Sequence, residues 1–208
     1  SSNRAGVTVP ASVVVPNGAT TANFNVTTTA VVSDVSATIT ATAAAISRTV
    51  VVSVDRTTPA SVTIAPTSLI GGNNAVGTVT TNGPAPTGGL VVTLASGNPA
   101  VTVPASVTVA AGQTAATFAV STIAVESDTN VSISATANGT TQSGGVTVLR
   151  SNLKSVTLSR SWTVGGTSRI LRIFLDGKAP AGGLLVNLAS DNTVATVPAT
   201  VTVPAGSA

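Results

Sequence analysis

The residues that could do chemistry are few. Of 208 residues only six are acidic and nine are basic, and His, Cys, Met and Tyr are absent. Without His or Cys there is no Ser-His-Asp triad, no Cys-His pair, no imidazole or thiolate zinc site, and no disulfide. The acids are Asp34, Asp55, Glu126, Asp128, Asp176 and Asp191. Glu126 and Asp128 stand close enough in sequence to be tried as an acid/base pair. That chemistry needs a sugar-binding subsite, and no aromatic residue lies nearby, so a glycosidase reading fails. Asp34, Glu126 and Asp128 are the candidate Ca2+ ligands, since a hard cation takes several oxygens. The alternative is that Asp34 and Asp128 make turns or cap backbone amides, which Asp does readily.

Nucleic-acid binding needs clustered Lys and Arg interleaved with stacking aromatics. Six of the bases, Arg150, Lys154, Arg160, Arg169, Arg172 and Lys178, fall in one stretch, but the net charge is only +3 and aromatics make up 2% of the chain. Nucleic acid is therefore not expected as a partner. No run of about 18 apolar residues occurs, so no membrane span is expected, and Ser1 to Arg4 opens no signal-peptide pattern. Neither a resident cofactor nor enzymatic activity is expected.

The elements that would position these residues follow from repetition. Val7-Thr-Val-Pro-Ala-Ser-Val-Val-Val15 returns as Val101-Thr-Val-Pro-Ala-Ser-Val-Thr-Val109 and as Ala195-Thr-Val-Pro-Ala-Thr-Val-Thr-Val203, each time 94 residues on. The offset holds without gaps. Asn23-Phe24-Asn25-Val26 lies under Thr117-Phe118-Ala119-Val120, Ser33-Asp34 under Ser127-Asp128, and Gly88-Gly89-Leu90 under Gly182-Gly183-Leu184. Polar stretches at Asp55 and Arg150 mark the junctions. The spacing predicts the back part of one repeat over 1–54, a complete repeat over 55–148, and the front part of a third over 149–208. Glu126 lies over Val32, so only the Asp34/Asp128 carboxylate recurs.

Within the complete repeat, period-two alternation places the core. Val62 and Ile64, then Ala75, Gly77 and Val79, then Leu90, Val92 and Leu94 face inward. Ala116, Phe118 and Val120, then Val131, Ile133, Ala135 and Ala137, then Val146 and Val148 follow. Pro104 breaks the ladder between Val101 and Val109. About seven short strands in 94 residues, one face apolar and the other Ser/Thr, predict an all-β fold of tandem immunoglobulin-like β-sandwich repeats.

The segments Gly88-Gly-Leu-Val-Val-Thr-Leu-Ala-Ser96, Val103-Pro-Ala-Ser-Val-Thr-Val109, Gly112-Gln-Thr-Ala-Ala-Thr-Phe-Ala-Val120 and Val131-Ser-Ile-Ser-Ala-Thr-Ala-Asn-Gly139 resemble the repeat of bacterial Ig-like surface proteins. That resemblance spans nearly the whole chain. It implies an extracellular or cell-surface structural role, as a segment of an adhesin stalk, fibre or filament sheath, with neighbouring repeats as partners.

Other features compete for function. In the third repeat Ile170, Arg172 and Phe174 should point outward where the complete repeat has Val76, Thr78 and Thr80, and Trp162 replaces Ser68. This row is the candidate partner-contact surface, and it supports the alternative of a binding module for glycan, ice or a protein. The row Thr38, Thr40, Thr42 suggests ice or glycan binding, but Thr is also the default polar residue of a strand face, and the ordinary reading is preferred. Asn25, Asn130 and Asn138 fit the N-glycosylation pattern. The incomplete ends suggest either a longer array or head-to-tail completion between copies by strand addition. The second scheme would duplicate the Val-Thr-Val-Pro-Ala segment, which favours the first.

Overall fold

The computed structural model describes residues 1–208. It is all β, without a helix, so no helix is long and apolar enough to cross a membrane. Seventeen strands form. The first four are β1 (Val7–Thr8), β2 (Thr27–Thr28), β3 (Val35–Ala43) and β4 (Ile46–Val54). The middle nine are β5 (Pro59–Ala65), β6 (Ser68–Ile70), β7 (Asn74–Thr81), β8 (Leu90–Ser96), β9 (Val101–Thr102), β10 (Ser106–Val109), β11 (Ala115–Thr122), β12 (Thr129–Ala137) and β13 (Thr140–Leu149). The last four are β14 (Leu153–Leu158), β15 (Leu171–Leu175), β16 (Leu184–Asn187) and β17 (Thr200–Val203).

The middle strands make an immunoglobulin-like β-sandwich. One sheet runs β5-β7-β11-β9 and the other β10-β8-β12-β13-β6. β5 and β7 pair in one sheet with β11, and β8 packs opposite with β12 and β13, the immunoglobulin arrangement. Alternating small and β-branched residues turn one face of each sheet inward. Nineteen buried apolar residues from both sheets form a single core, with Val79, Val92, Val109, Val120, Ile133 and Val148 shut off from solvent. Phe118 is the one aromatic among them. Its ring lies over Gly77, its register partner. A Cβ at position 77 would overlap the ring. The thinness of β7 at that point is what admits the one large side chain.

Nine strands stand here where alternation alone suggests about seven. After Ala65, at a cis Ala65–Pro66 bond, the chain leaves the first sheet and β6 pairs in parallel with the end of β13. Around Pro104 the chain switches sheets again, so β9 and β10 belong to opposite layers. β13 also begins at Thr140 rather than near Gly145. Its first half pairs with β12 from Ala137↔Thr140 onward, through an Asn138-Gly139 turn with φ of 50° and 77°. Both φ values are positive, and the Asn-Gly pair supplies such a turn at little cost.

The flanking strands keep the same registers 94 residues away. β3 pairs β4 from Val35↔Val54, as β12 pairs β13 from Thr129↔Val148. β1 and β2 join Val7 to Thr28, as Val101 joins Thr122. β14 and β15 pair from Leu153↔Leu175 with a bulge before Ser155, as Pro59↔Thr81 does before Ser61. Leu184↔Val203 in β16 and β17 matches Leu90↔Val109. These flanking pairs each stand as two-stranded sheets. Their inward faces are correspondingly open, with Val13, Phe24, Val156 and Leu158 exposed.

Candidate functional site

The most built polar constellation lies where one set of strands hands over to the next. Between Leu149 at the end of β13 and Leu153 at the start of β14 stand Arg150, Ser151 and Asn152, and each is tied. The Arg150 amide donates to Asp128 Oδ1 at 2.9 Å. Ser151 Oγ donates to the Lys178 carbonyl at 2.6 Å, and the Asn152 amide to Asp176 Oδ1 at 2.7 Å. The Asp176 amide returns a bond to the Asn152 carbonyl at 3.0 Å. Asp128 belongs to the turn before β12, whereas Asp176 and Lys178 follow β15. The linker is thus held from both sides.

The same knot occurs 94 residues earlier. The Arg56 amide donates to Asp34 Oδ1 at 2.7 Å, Thr57 Oγ1 to the Pro84 carbonyl at 2.7 Å, and the Thr58 amide to Asn82 Oδ1 at 2.9 Å. Arg56 Nε also approaches Asp34 Oδ1 at 3.8 Å, with both side chains substantially exposed. Such a surface pair contributes at most about 1 kcal/mol. Thr57 and Ser151 are themselves buried, and no buried side-chain polar atom lacks a partner.

Packing reinforces the second knot. Gly177 lies against Ile70 and Ser151, and the Lys178 stem lies over Gly72. Glu126 Oε1 faces Gly182, 3.2 Å from where a Cβ would stand. The Lys178 side chain therefore rests on the turn between β6 and β7, and the Glu126 side chain from the turn before β12 reaches Gly182. At the first knot, Asn138 Nδ2 donates to the Thr57 carbonyl at 2.7 Å, bracing the linker with the β12–β13 turn.

This geometry places the candidate residues. Asp34 and Asp128 each cap a linker amide, and they sit at separate knots. Glu126 joins neither cap, and no three acids or other metal-binding side chains gather anywhere. Asn25 and Asn130 are exposed, and Asn130 Oδ1 accepts a bond from Thr147 Oγ1 at 2.8 Å. Asn138 is half-buried, and the nitrogen a glycan would take is the one bound to Thr57. Arg172 and Phe174 point outward from β15, with Leu175 buried on its other face. Ile170 precedes the strand and is 65% exposed. Trp162, 64% exposed, lies in the loop between β14 and β15 and not in a strand like its counterpart Ser68. Its ring is covered by the Arg160 guanidinium, 5.8 Å from the centroid.

A hollow of about 730 Å³ is bordered by Val13, Val15, Phe24, Ile39, Ile46 and Arg48. It lies between the segment preceding Phe24 and the β3–β4 hairpin.

The partners in the knots were not expected from sequence. Arg56 and Arg150 contribute backbone amides, which any residue but Pro would supply, so their type carries no signal. The recurrence of Thr57/Ser151 and Asn82/Asp176 at the common offset was the available clue.

No family model matches the chain, and no curated protein matches it. Solved structures similar to it include two from Intimin. One is the D00-D0 domain of Intimin, 15% identical, covering 69% of this chain and 78% of that one, with a TM-score of 0.37. The other is the D0-D1 domain of Intimin, 12% identical, covering 72% and 81%, with a TM-score of 0.38.

Proposed function

We propose that this chain is a structural spacer, a segment of an extracellular or cell-surface stalk or fibre whose repeated sandwiches are set at a fixed angle by pinned linkers. The observation that carries this reading is the recurring knot. A short linker with a carboxylate cap on one side and three hydrogen bonds on the other has little freedom to bend. A loose tether would carry an unbonded, Gly- or Ser-rich linker instead. The scarcity of reactive side chains agrees with a mechanical role, and neighbouring repeats are the partners the knots imply. Removing Asp128 and Ser151 together and measuring the spread of distances across the joint tests it.

A second reading is favoured by one observation. Ile170, Arg172 and Phe174 form an outward row where the complete sandwich has Val76, Thr78 and Thr80, and the exposed Trp162 of the β14–β15 loop is capped by Arg160. Contiguous exposed apolar side chains of this kind mark contact surfaces, and a glycan, ice or protein partner would use them. Arg172→Ser with Phe174→Ser would then abolish retention on that partner and leave the joint unaltered.

A further inference from the structure

Tension along an array enters the complete sandwich at one linker and leaves at the next, and the two lie at opposite poles. Asn138, just past one end of β12, holds Thr57, whereas Asp128, just before its other end, holds Arg150. The nine residues of β12 between them span roughly 30 Å at about 3.4 Å each. Load therefore runs along the strands.

The first arm to take that load is β5 with β6, and the last strand is β13. β6 and β13 are parallel, with Thr147 opposite Ser68, Val148 opposite Leu69 and Leu149 opposite Ile70. Every other strand pair in the chain is antiparallel. Direction decides how the bonds are loaded. Force on the start of the arm and on the end of β13 slides β6 and β13 past each other, so all their bonds resist together. An antiparallel entry and exit pair would have both loaded ends at one pole and would peel open bond by bond.

The grip extends beyond the ladder. The Thr147 amide donates to the Thr67 carbonyl and the Gly71 amide to the Leu149 carbonyl, each at 2.9 Å. Past β6, the buried Thr122 accepts from the Gly72 amide at 3.0 Å and donates to the Asn73 carbonyl at 2.7 Å, both through Oγ1. Leu69 and Val148 are buried beneath the ladder and keep water from its inner side. In the opposite sheet β5 can slide only by breaking its ladder with β7. The Val62 carbonyl also abuts Gly144 of β13, where a Cβ would stand 2.5 Å from it. The arm is held in both sheets, with the exit strand beside it.

We propose that the β5–β6 arm and β13 form a tension latch, which makes the complete sandwich a load-bearing link. The latch rests on the spacer reading for the direction of the load. Distances across the joint test that reading and rupture force tests the latch, so either can fail alone.

The test pulls single 208-residue chains through cysteine handles, which the lack of native Cys permits. Handles at Ser1→Cys and Ala208→Cys shear the latch. Handles at Asn73→Cys and Arg150→Cys, just past the ends of β6 and β13, peel it. Between end handles the opening of the sandwich is recognised by a length gain of roughly 300 Å, as about 90 residues extend to about 3.6 Å each and the folded length is lost. The sheared rupture is expected at several-fold the force of the peeled one. Under shear, Thr147→Pro, which removes the donor to Thr67, is expected to lower the rupture force. Ile133→Val, a core change away from the latch, is expected to lower stability in denaturant and leave that force unchanged. Equal forces in the two geometries, an unchanged force in Thr147→Pro, or as large a loss of force in Ile133→Val would each overturn the latch. If Thr147→Pro does not fold, the comparison of geometries decides alone.

Discussion

Asp128 Oδ1 lies 2.9 Å from the Arg150 backbone nitrogen, and 94 residues earlier Asp34 Oδ1 lies 2.7 Å from that of Arg56. Each carboxylate reaches across 22 residues to the same point of a linker. Because the amide is the donor, the Arg side chains are incidental to the bond. Asp readily caps backbone amides, and Asp34 and Asp128 both accept from one here.

The donor's identity makes an asymmetric prediction. Arg150→Ala should change stability by less than about 0.5 kcal/mol, as a surface substitution. Arg150→Pro removes the N–H and should cost about 1 kcal/mol or more. Asp128→Ala should resemble Arg150→Pro, and Asp128→Asn, which keeps an acceptor oxygen, should fall between. Thermal unfolding of the four variants reads this order.

Metal dependence follows from the same bond. With the knot carboxylates Asp34, Asp128 and Asp176 each holding a backbone amide through Oδ1, millimolar Ca2+ or a chelator should leave the melting temperature unmoved. A ligand that bound the folded state at 100 times its Kd would add about 2.7 kcal/mol, so a rise of several degrees with Ca2+ would contradict the capping assignment.

The Gly77–Phe118 contact sets a third expectation. Gly77→Ala should destabilise the sandwich by about 1–3 kcal/mol, because the ring has no room to yield in a packed core. Phe118→Ala should cost about 3–5 kcal/mol by leaving a cavity. The double variant should be less destabilised than the sum, since the new methyl occupies vacated space, and a double-mutant cycle in denaturant measures the difference.

The chain also supplies the remedy for its weakest turn. The β3–β4 turn places Ala44 and Ala45 at φ of 48° and 62°, where the matching β12–β13 turn has Asn138 and Gly139. Ala at positive φ costs about 1–2 kcal/mol per residue. Ala44→Asn with Ala45→Gly should therefore protect the β3–β4 amides more strongly in hydrogen exchange. Unchanged or faster exchange there would contradict the turn assignment.

Much of this architecture is legible in the sequence, for a physical reason. Alternation in β7, β8, β11 and β12 reports which side chains face the core, and Ala75, Val92, Phe118 and Ile133 are buried on that face. What alternation misses is a change of layer. Neither the move of β6 to the second sheet nor the split at Pro104 alters local hydropathy. The first half of β13 is hidden too, because Gly144 looks like a breaker; in fact a Cβ there would stand 2.5 Å from the Val62 carbonyl oxygen. The knots are hidden more deeply, because each bond has a backbone group at one end and its two partners lie 22 to 27 residues apart.

The spacer reading rests on stiffness at the joint, and the absence of Cys makes that measurable by site-specific labelling. Thr117→Cys on β11 and Thr157→Cys on β14 are exposed positions on either side of the second knot. Spin labels there should give one narrow distance distribution by pulsed dipolar spectroscopy, and Asp128→Ala with Ser151→Ala should broaden it. A distribution in the unaltered linker as broad as in the double variant would contradict the account.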